Sequence, residues 1–292
     1  MNKNKLSIIS VITVLSLMPK PTRADVNTSL KLHGGWASIA GGDVNSGNRG
    51  FFDWRSASWP VLEGKYQPVH NGYNYGIDFM LELKRGMGVG VGLGYLRVHK
   101  RHAIGVSDPD TRWYGGVEAE PELNAMPIRL SLFMNSSLTK KISFAANVGA
   151  SCYLRARYDD HIGESDFNDL GMLAGFIACT TRTEKKGGAM GIDGGVGLEY
   201  EIVRNIFLCL DGQARYAKIR GFEGSSELVS DTWGSPLLQE GKLYYEEVPL
   251  LSGSPRLIIV QSDPPDGPDG EPRRAVIDFS GVNLQVGIRI RL

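Results

Sequence analysis

The side chains able to do chemistry in this chain are few and scattered. Five histidines, His33, His70, His99, His102 and His161, are the available general bases, and no serine stands beside them in a nucleophile-like motif. Acyl chemistry on lipid A, the work of a Ser/His/acid set near a membrane rim, is therefore the weakest reading, and no catalytic residue is assigned. The run His99-Lys-Arg-His102 suits contact with anionic lipopolysaccharide, or the solvated end of a loop, better than catalysis. The acids in Asp263-Pro-Pro-Asp-Gly-Pro-Asp-Gly-Glu-Pro272 lack the spacing of a calcium loop and are broken by prolines; the segment reads as an irregular loop. Cys152, Cys179 and Cys209, odd in number and widely spaced, form neither a disulfide framework nor a metal signature. No metal or other cofactor is expected.

Thirteen charged residues follow a rhythm. Lys31, Arg129, Arg155, Arg157, Arg215, Arg289 and Arg291 fall on the polar phase of alternating segments, and so do Asp78, Glu82, Asp193, Glu199, Glu201 and Asp211. If that phase faces an interior, unpaired charge there is costly, and the near-balance of sign predicts a paired network. For Arg289 and Arg291 the expected partners are Glu82, Glu199 and Glu201.

The segments that must position these charges are strands. In Val282–Leu292 every even position is a branched aliphatic and every odd one is polar, charged or glycine. That period of two gives an extended strand one apolar and one polar face. Segments beginning near Leu30, Tyr73, Met87, Met126, Ile142, Met190 and Ile206 repeat it, for a total of eight. Between Met87 and Tyr95 the second face is wholly glycine (Gly88, Gly90, Gly92, Gly94), which leaves room for large neighbours or for a cavity. A soluble eight-stranded barrel would turn the apolar phase inward. Here the charges of both signs sit on one phase and aromatics gather near strand ends (Trp36, Tyr73, Tyr95, Tyr158, Tyr200), which favours apolar side chains facing lipid.

The links at 84–87, 135–141 and 203–205 are short; those at 40–71, 99–123, 159–188 and 221–274 are long. Strict alternation puts both termini on a periplasmic side and four long loops outside. Aromatics in the loops, among them Phe51-Phe-Asp-Trp54 and Tyr244-Tyr245, are expected to pack the loops together. Residues 1–24 read as a signal peptide, with Lys3 and Lys5 before a short apolar run and small residues before the cut. Residues 25–292 then form a single domain. With 32 basic and 32 acidic residues the chain has no net charge, which argues against a nucleic-acid partner.

The segments Met126–Phe133, Gly194–Tyr200 and Gly281–Leu292 carry a resemblance to the small outer-membrane β-barrel family of the OmpA/OmpX/OmpW type. The resemblance covers about half the chain, its strands. It implies an all-β fold, an eight-stranded antiparallel transmembrane β-barrel with four long extracellular loops, in the bacterial outer membrane among lipid and lipopolysaccharide. Gln285, Gly287, Ile290 and Leu292 are spaced like the C-terminal signal read by barrel-assembly machinery, with Leu292 where Phe is usual. The expected role is structural or surface-interacting and non-enzymatic, with an extracellular ligand unspecified. The alternative is a narrow pore or passive transporter for a small solute, hydrophobic ones included, which the glycine ladder would favour.

Overall fold

The computed structural model describes residues 27–58, 60–84, 86–108, 113–185, 187–231, 235–247, 254–262 and 273–292. The expected signal peptide and the acidic 263–272 run lie outside them. In chain order the elements are β1 (Asn27–Ser38), α1 (Asp43–Ser58), β2 (Val61–Gly64), β3 (Asn71–Lys84), β4 (Met87–His99), β5 (His102–Asp108), β6 (Trp113–Ala119) and β7 (Glu122–Ser137). There follow β8 (Ile142–Phe167), β9 (Leu173–Lys185), β10 (Ala189–Val203), β11 (Ile206–Tyr216), β12 (Lys218–Arg220) and β13 (Glu223–Ser230). The chain finishes with β14 (Leu237–Glu247), β15 (Arg256–Gln261), β16 (Arg273–Arg274), β17 (Val276–Asp278) and β18 (Gly281–Arg291).

Eight of these strands close on themselves, all antiparallel, in the order β1-β3-β4-β7-β8-β10-β11-β18 and back to β1. Closure brings the last strand against the first, Leu30 opposite Ile290 and Trp36 opposite Leu284. They are the eight segments that the period-two pattern marks. Their apolar phase faces outward as a belt, with Val286, Val196 and Val148 each more than half exposed, while Gln285, Glu199 and Arg289 are buried inside. The tight links lie at one end, where Gly86 and Asn205 adopt positive φ, a conformation that glycine and asparagine tolerate best.

The four long connections rise from the other end, and much of their length is ordered. The β5–β6 hairpin pairs β6 with the outer half of β8, which also pairs with β9. From β9 the ladder continues through β13 and β14 to β15. The barrel wall thus extends outward as a curved sheet, from β2 at one edge to β15 at the other. The stretch 171–179 belongs to a hairpin rather than a helix, since β9 turns back along β8. Helix α1 packs against β15, with Gly47 and Gly50 set where a side-chain carbon would strike the backbone of Ile258 and Arg256.

In this protruding half the pleat keeps its alternation but the inward side chains become apolar. Leu96, Val98, Leu123, Ala125, Tyr153, Tyr158, Ile219, Phe222 and Phe279 form one buried cluster over the barrel mouth. A second cluster gathers Phe52 of α1 with Ile104, Val106, Val117 and Ala119 of the β5–β6 hairpin.

Candidate functional site

The lumen is the place where most of the predicted charges meet. Lys31 on β1 reaches across to Asp211 on β11, its Nζ 2.8 Å from the carboxylate, and both are nearly fully buried. Arg289 on β18 donates to Glu199 on β10 at 2.5 Å, which is one of the partnerships expected from the sequence. Arg129 on β7 donates to Asp78 on β3 at 2.8 Å and to Gln213 at 2.9 Å. Arg215 donates to the carbonyls of Phe279 and Ser38 at 2.6 Å and to the Asn283 side chain, so its charge is met by oxygens rather than by a carboxylate. Asp193 accepts from Ser151. Toward the short-turn end, Arg291 lies 4.0 Å from Glu82, and the backbone N–H of half-buried Glu201 donates to Lys141.

Two predicted lumen residues are elsewhere. Arg155 and Arg157 are on the outer surface, paired with Glu184 at 2.8 Å and Asp159 at 2.6 Å. The cause is a β-bulge: Pro127 faces Tyr153 and Met126 faces Arg155, so Leu154 is an extra residue and the inward phase of β8 shifts from odd to even. A residue that charge-counting misses is His33. Its Nε2 lies 2.9 Å from the Arg129 guanidinium and 3.2 Å from Asp78, and its strand phase was the signal for its place.

The glycine ladder of β4 makes room for this network. A side-chain carbon at Gly88 would strike the Phe133 ring, and one at Gly92 would strike the Asp78 carboxylate. The neighbours at Gly90 are Ser131 and Met80, and at Gly94 the Pro127 ring. The vacated space is therefore filled, and two residual voids in the lumen measure about 40 Å³ each. A much larger concavity of about 1040 Å³ is lined almost wholly by lipid-facing groups such as Leu32, Ile77, Leu93 and Val286, so it belongs to the belt and not to the lumen.

Outside the barrel, the run His99-Lys-Arg-His102 is divided by its surroundings. His99 pairs with Glu120 and Arg101 with Glu118, at 2.9 and 2.6 Å. His102 is buried against the rings of Phe52 and Tyr66, which also touch each other, and loss of hydration lowers its pKa to about 4. It is a neutral packing residue rather than part of a basic patch. Asp160 is buried beneath Tyr158, whose hydroxyl donates to it at 2.7 Å, and burial raises its pKa to about 6. Arg55 on α1 pairs with Glu164 and with Asp166, tying the helix to the outer half of β8. Of the C-terminal signal residues, Gln285 and Gly287 face the lumen, while Ile290 and Leu292 are exposed at the short-turn end.

A closed antiparallel barrel of eight strands, apolar to the outside and charge-paired within, is the architecture of the small outer-membrane β-barrels, and such a surface places the chain in that membrane. No family model matches the chain, and no curated protein matches it. Among solved structures it is similar to a major outer-membrane protein of Thermus thermophilus, at 12% identity and a TM-score of 0.39 over 91% of this chain and 99% of that one. It is also similar to OprG of Pseudomonas aeruginosa, at 10% identity and 0.38 over 90% and 95%. A third is Ail, the attachment invasion locus protein of Yersinia pestis, at 8% identity and 0.29 over 91% and 98%. These overlaps are loose, and the assignment rests on the barrel's own geometry.

Proposed function

We propose that this chain is a non-enzymatic outer-membrane barrel whose protruding half is a surface-interaction module. The observation that carries the reading is the contrast between a stoppered lumen and a built extension. The lumen is crossed by Lys31–Asp211, Arg129–Asp78 and Arg289–Glu199, and the cluster containing Leu123, Tyr158 and Phe279 covers its mouth. Above it stands a continuous sheet with two buried cores, more order than a connecting loop requires.

The passive-transport alternative rests on the glycine ladder, and the side chains of Phe133, Asp78 and Pro127 in that space count against it. Purified protein in planar bilayers is expected to give no discrete conductance steps, and bacteria displaying it are expected to gain adhesion to an external surface. Stable single-channel currents would overturn the reading in favour of transport. The belt would contact lipid and lipopolysaccharide, and β18 with Gln285, Gly287, Ile290 and Leu292 would be the strand presented to assembly machinery. Slower membrane insertion of Leu292→Asp is the outcome expected of that role.

A further inference from the structure

We propose that the outer face of the protruding half carries a binding groove for a neutral pyranose glycan, where a glycine floor on β6 and β8 lies between the His161–Glu118 pair and the rings of Phe167 and Phe176. The proposal rests on the surface-interaction reading and gives it a site and a ligand class. The groove has a volume of about 330 Å³. Ligand sites run from about 300 to 1,000 Å³, so it suits a small ligand such as one or two sugar rings.

Its floor is open by construction. A side-chain carbon at Gly116 would meet nothing within 4 Å. One at Gly163 would lie 3.6 Å from His161 Nε2 and 3.7 Å from Glu118 Oε1, so a ring nitrogen and a carboxylate oxygen converge over the same point. Each of these side chains is held at its other end. His161 Nδ1 is 3.1 Å from Thr180 Oγ1, and Glu118 Oε2 accepts from Arg101 at 2.6 Å. On the side away from the barrel, Phe167 stacks on Tyr114, centroids 5.3 Å apart and 12° between planes, and Phe176 sits directly across from Ser165.

A pyranose has the complementary surface. Its C–H face lies against aromatic rings, and its hydroxyls donate and accept, which matches a carboxylate beside an imidazole. Glu118 is paired with Arg101 and Glu120 with His99, so these groups leave no free cation for a sulfate or carboxylate and the groove suits a neutral ring. The groove starts seven residues beyond Leu154, the last lipid-facing residue of β8, or roughly 20 Å along the strand at ~3.3 Å per residue. The sugar could therefore belong to the cell's own lipopolysaccharide or to another surface.

The test uses the full protein in lipid nanodiscs on an array of neutral oligosaccharides ending in glucose, galactose or N-acetylglucosamine, with sulfated and sialylated counterparts. Purified lipopolysaccharide oligosaccharide forms a second arm that separates the two sources. Saturable binding of a neutral glycan in either arm is expected. Gly116→Val, whose Cβ would enter open space on the floor, should weaken it by about tenfold or more, and His161→Ala by a similar factor, with barrel folding checked by heat-modifiable migration. Binding confined to acidic glycans, no binding in either arm, or binding untouched by Gly116→Val would overturn the site. Adhesion of displaying bacteria that is indifferent to Gly116→Val would remove the site and leave the surface-interaction reading standing; no adhesion by bacteria displaying the unaltered protein would remove that reading itself.

Discussion

The two halves of the barrel wall share strands and a pleat, yet their insides and outsides are exchanged. In the belt half, β18 turns Val286 and Ile288 outward and buries Gln285 and Arg289. In the protruding half, β4 buries Leu96 and Val98, while Glu118 on β6 and Arg101 just before β5 face out. The hydrophobic effect acts on both, but the apolar medium is lipid for one and the protein's own core for the other. A single strand such as β8 can therefore serve both, provided its pattern changes at the boundary, and the bulge at Leu154 is where β8 does so.

That inversion can be broken at several points. The largest effect is expected in the lumen. Glu199→Ala leaves Arg289 buried without its carboxylate, a cost of about 3–5 kcal/mol, and replacing both by Leu and Met should recover most of it. Urea unfolding in vesicles measures both, and a double variant as unstable as the single would mean that the pair is not the unit. Phe52→Ala in the outer core is expected to cost about 3–5 kcal/mol, felt as local opening of α1 and the β5–β6 hairpin with the barrel intact. Hydrogen exchange resolves the two halves; equal loss of protection in both would show that they are not separable. In the belt, Val286→Arg should cost about 2–4 kcal/mol of folding in a bilayer, while Leu238→Arg on exposed β14 should cost almost nothing. Equal penalties at the two sites would contradict the assignment of belt and extension.

The smallest effect concerns pH, and its two parts have opposite signs. Asp160 has a folded pKa of about 6 against a usual 3.8, so between those values the folded state holds a proton the unfolded one lacks, and stability falls as pH rises. Glu164 and Asp166, also raised by burial, act in the same sense. His102, at about 4 against 6.5, binds its proton more readily when unfolded, so stability rises with pH over that window. Asp160→Asn is expected to stabilise the outer half at pH 7 by about 1 kcal/mol and to tilt its profile toward the His102 slope. An unchanged opening free energy from pH 4 to 7 in that variant would refute the assignment.

The belt was legible because lipid imposes a period of two on the membrane-spanning part of each strand. That pattern placed Lys31, Asp78, Arg129, Asp193, Glu199, Asp211 and Arg289 inward and anticipated the Arg289–Glu199 pair. It failed at Arg155 and Arg157 because one inserted residue flips every later side chain, and Leu154 is in no way unusual as a residue type. The outer half was hidden for other reasons. Its strands β2, β5, β6, β13 and β15 are only four to eight residues long, and α1 contains Asn45, Gly47, Asn48 and Gly50, all poor helix formers. That helix forms where Gly47 and Gly50 allow close approach to β15 and where Asp43 accepts from Arg273 and from the Val276 backbone, contacts no local pattern announces.

Strand β8 runs for 26 residues, roughly 85 Å of chain at ~3.3 Å per residue, its ladders interrupted by the bulge at Leu154 and by a register shift against β9 between Asp166 and Phe167. It is bonded to β7 and β10 in the membrane and to β6 and β9 beyond it. A tug on the outer tip is then carried down one spar into the bilayer. Many rungs are loaded together in shear, rather than peeled one at a time. A molecule attached near Phe167 would be tethered by the stiffest member of the frame.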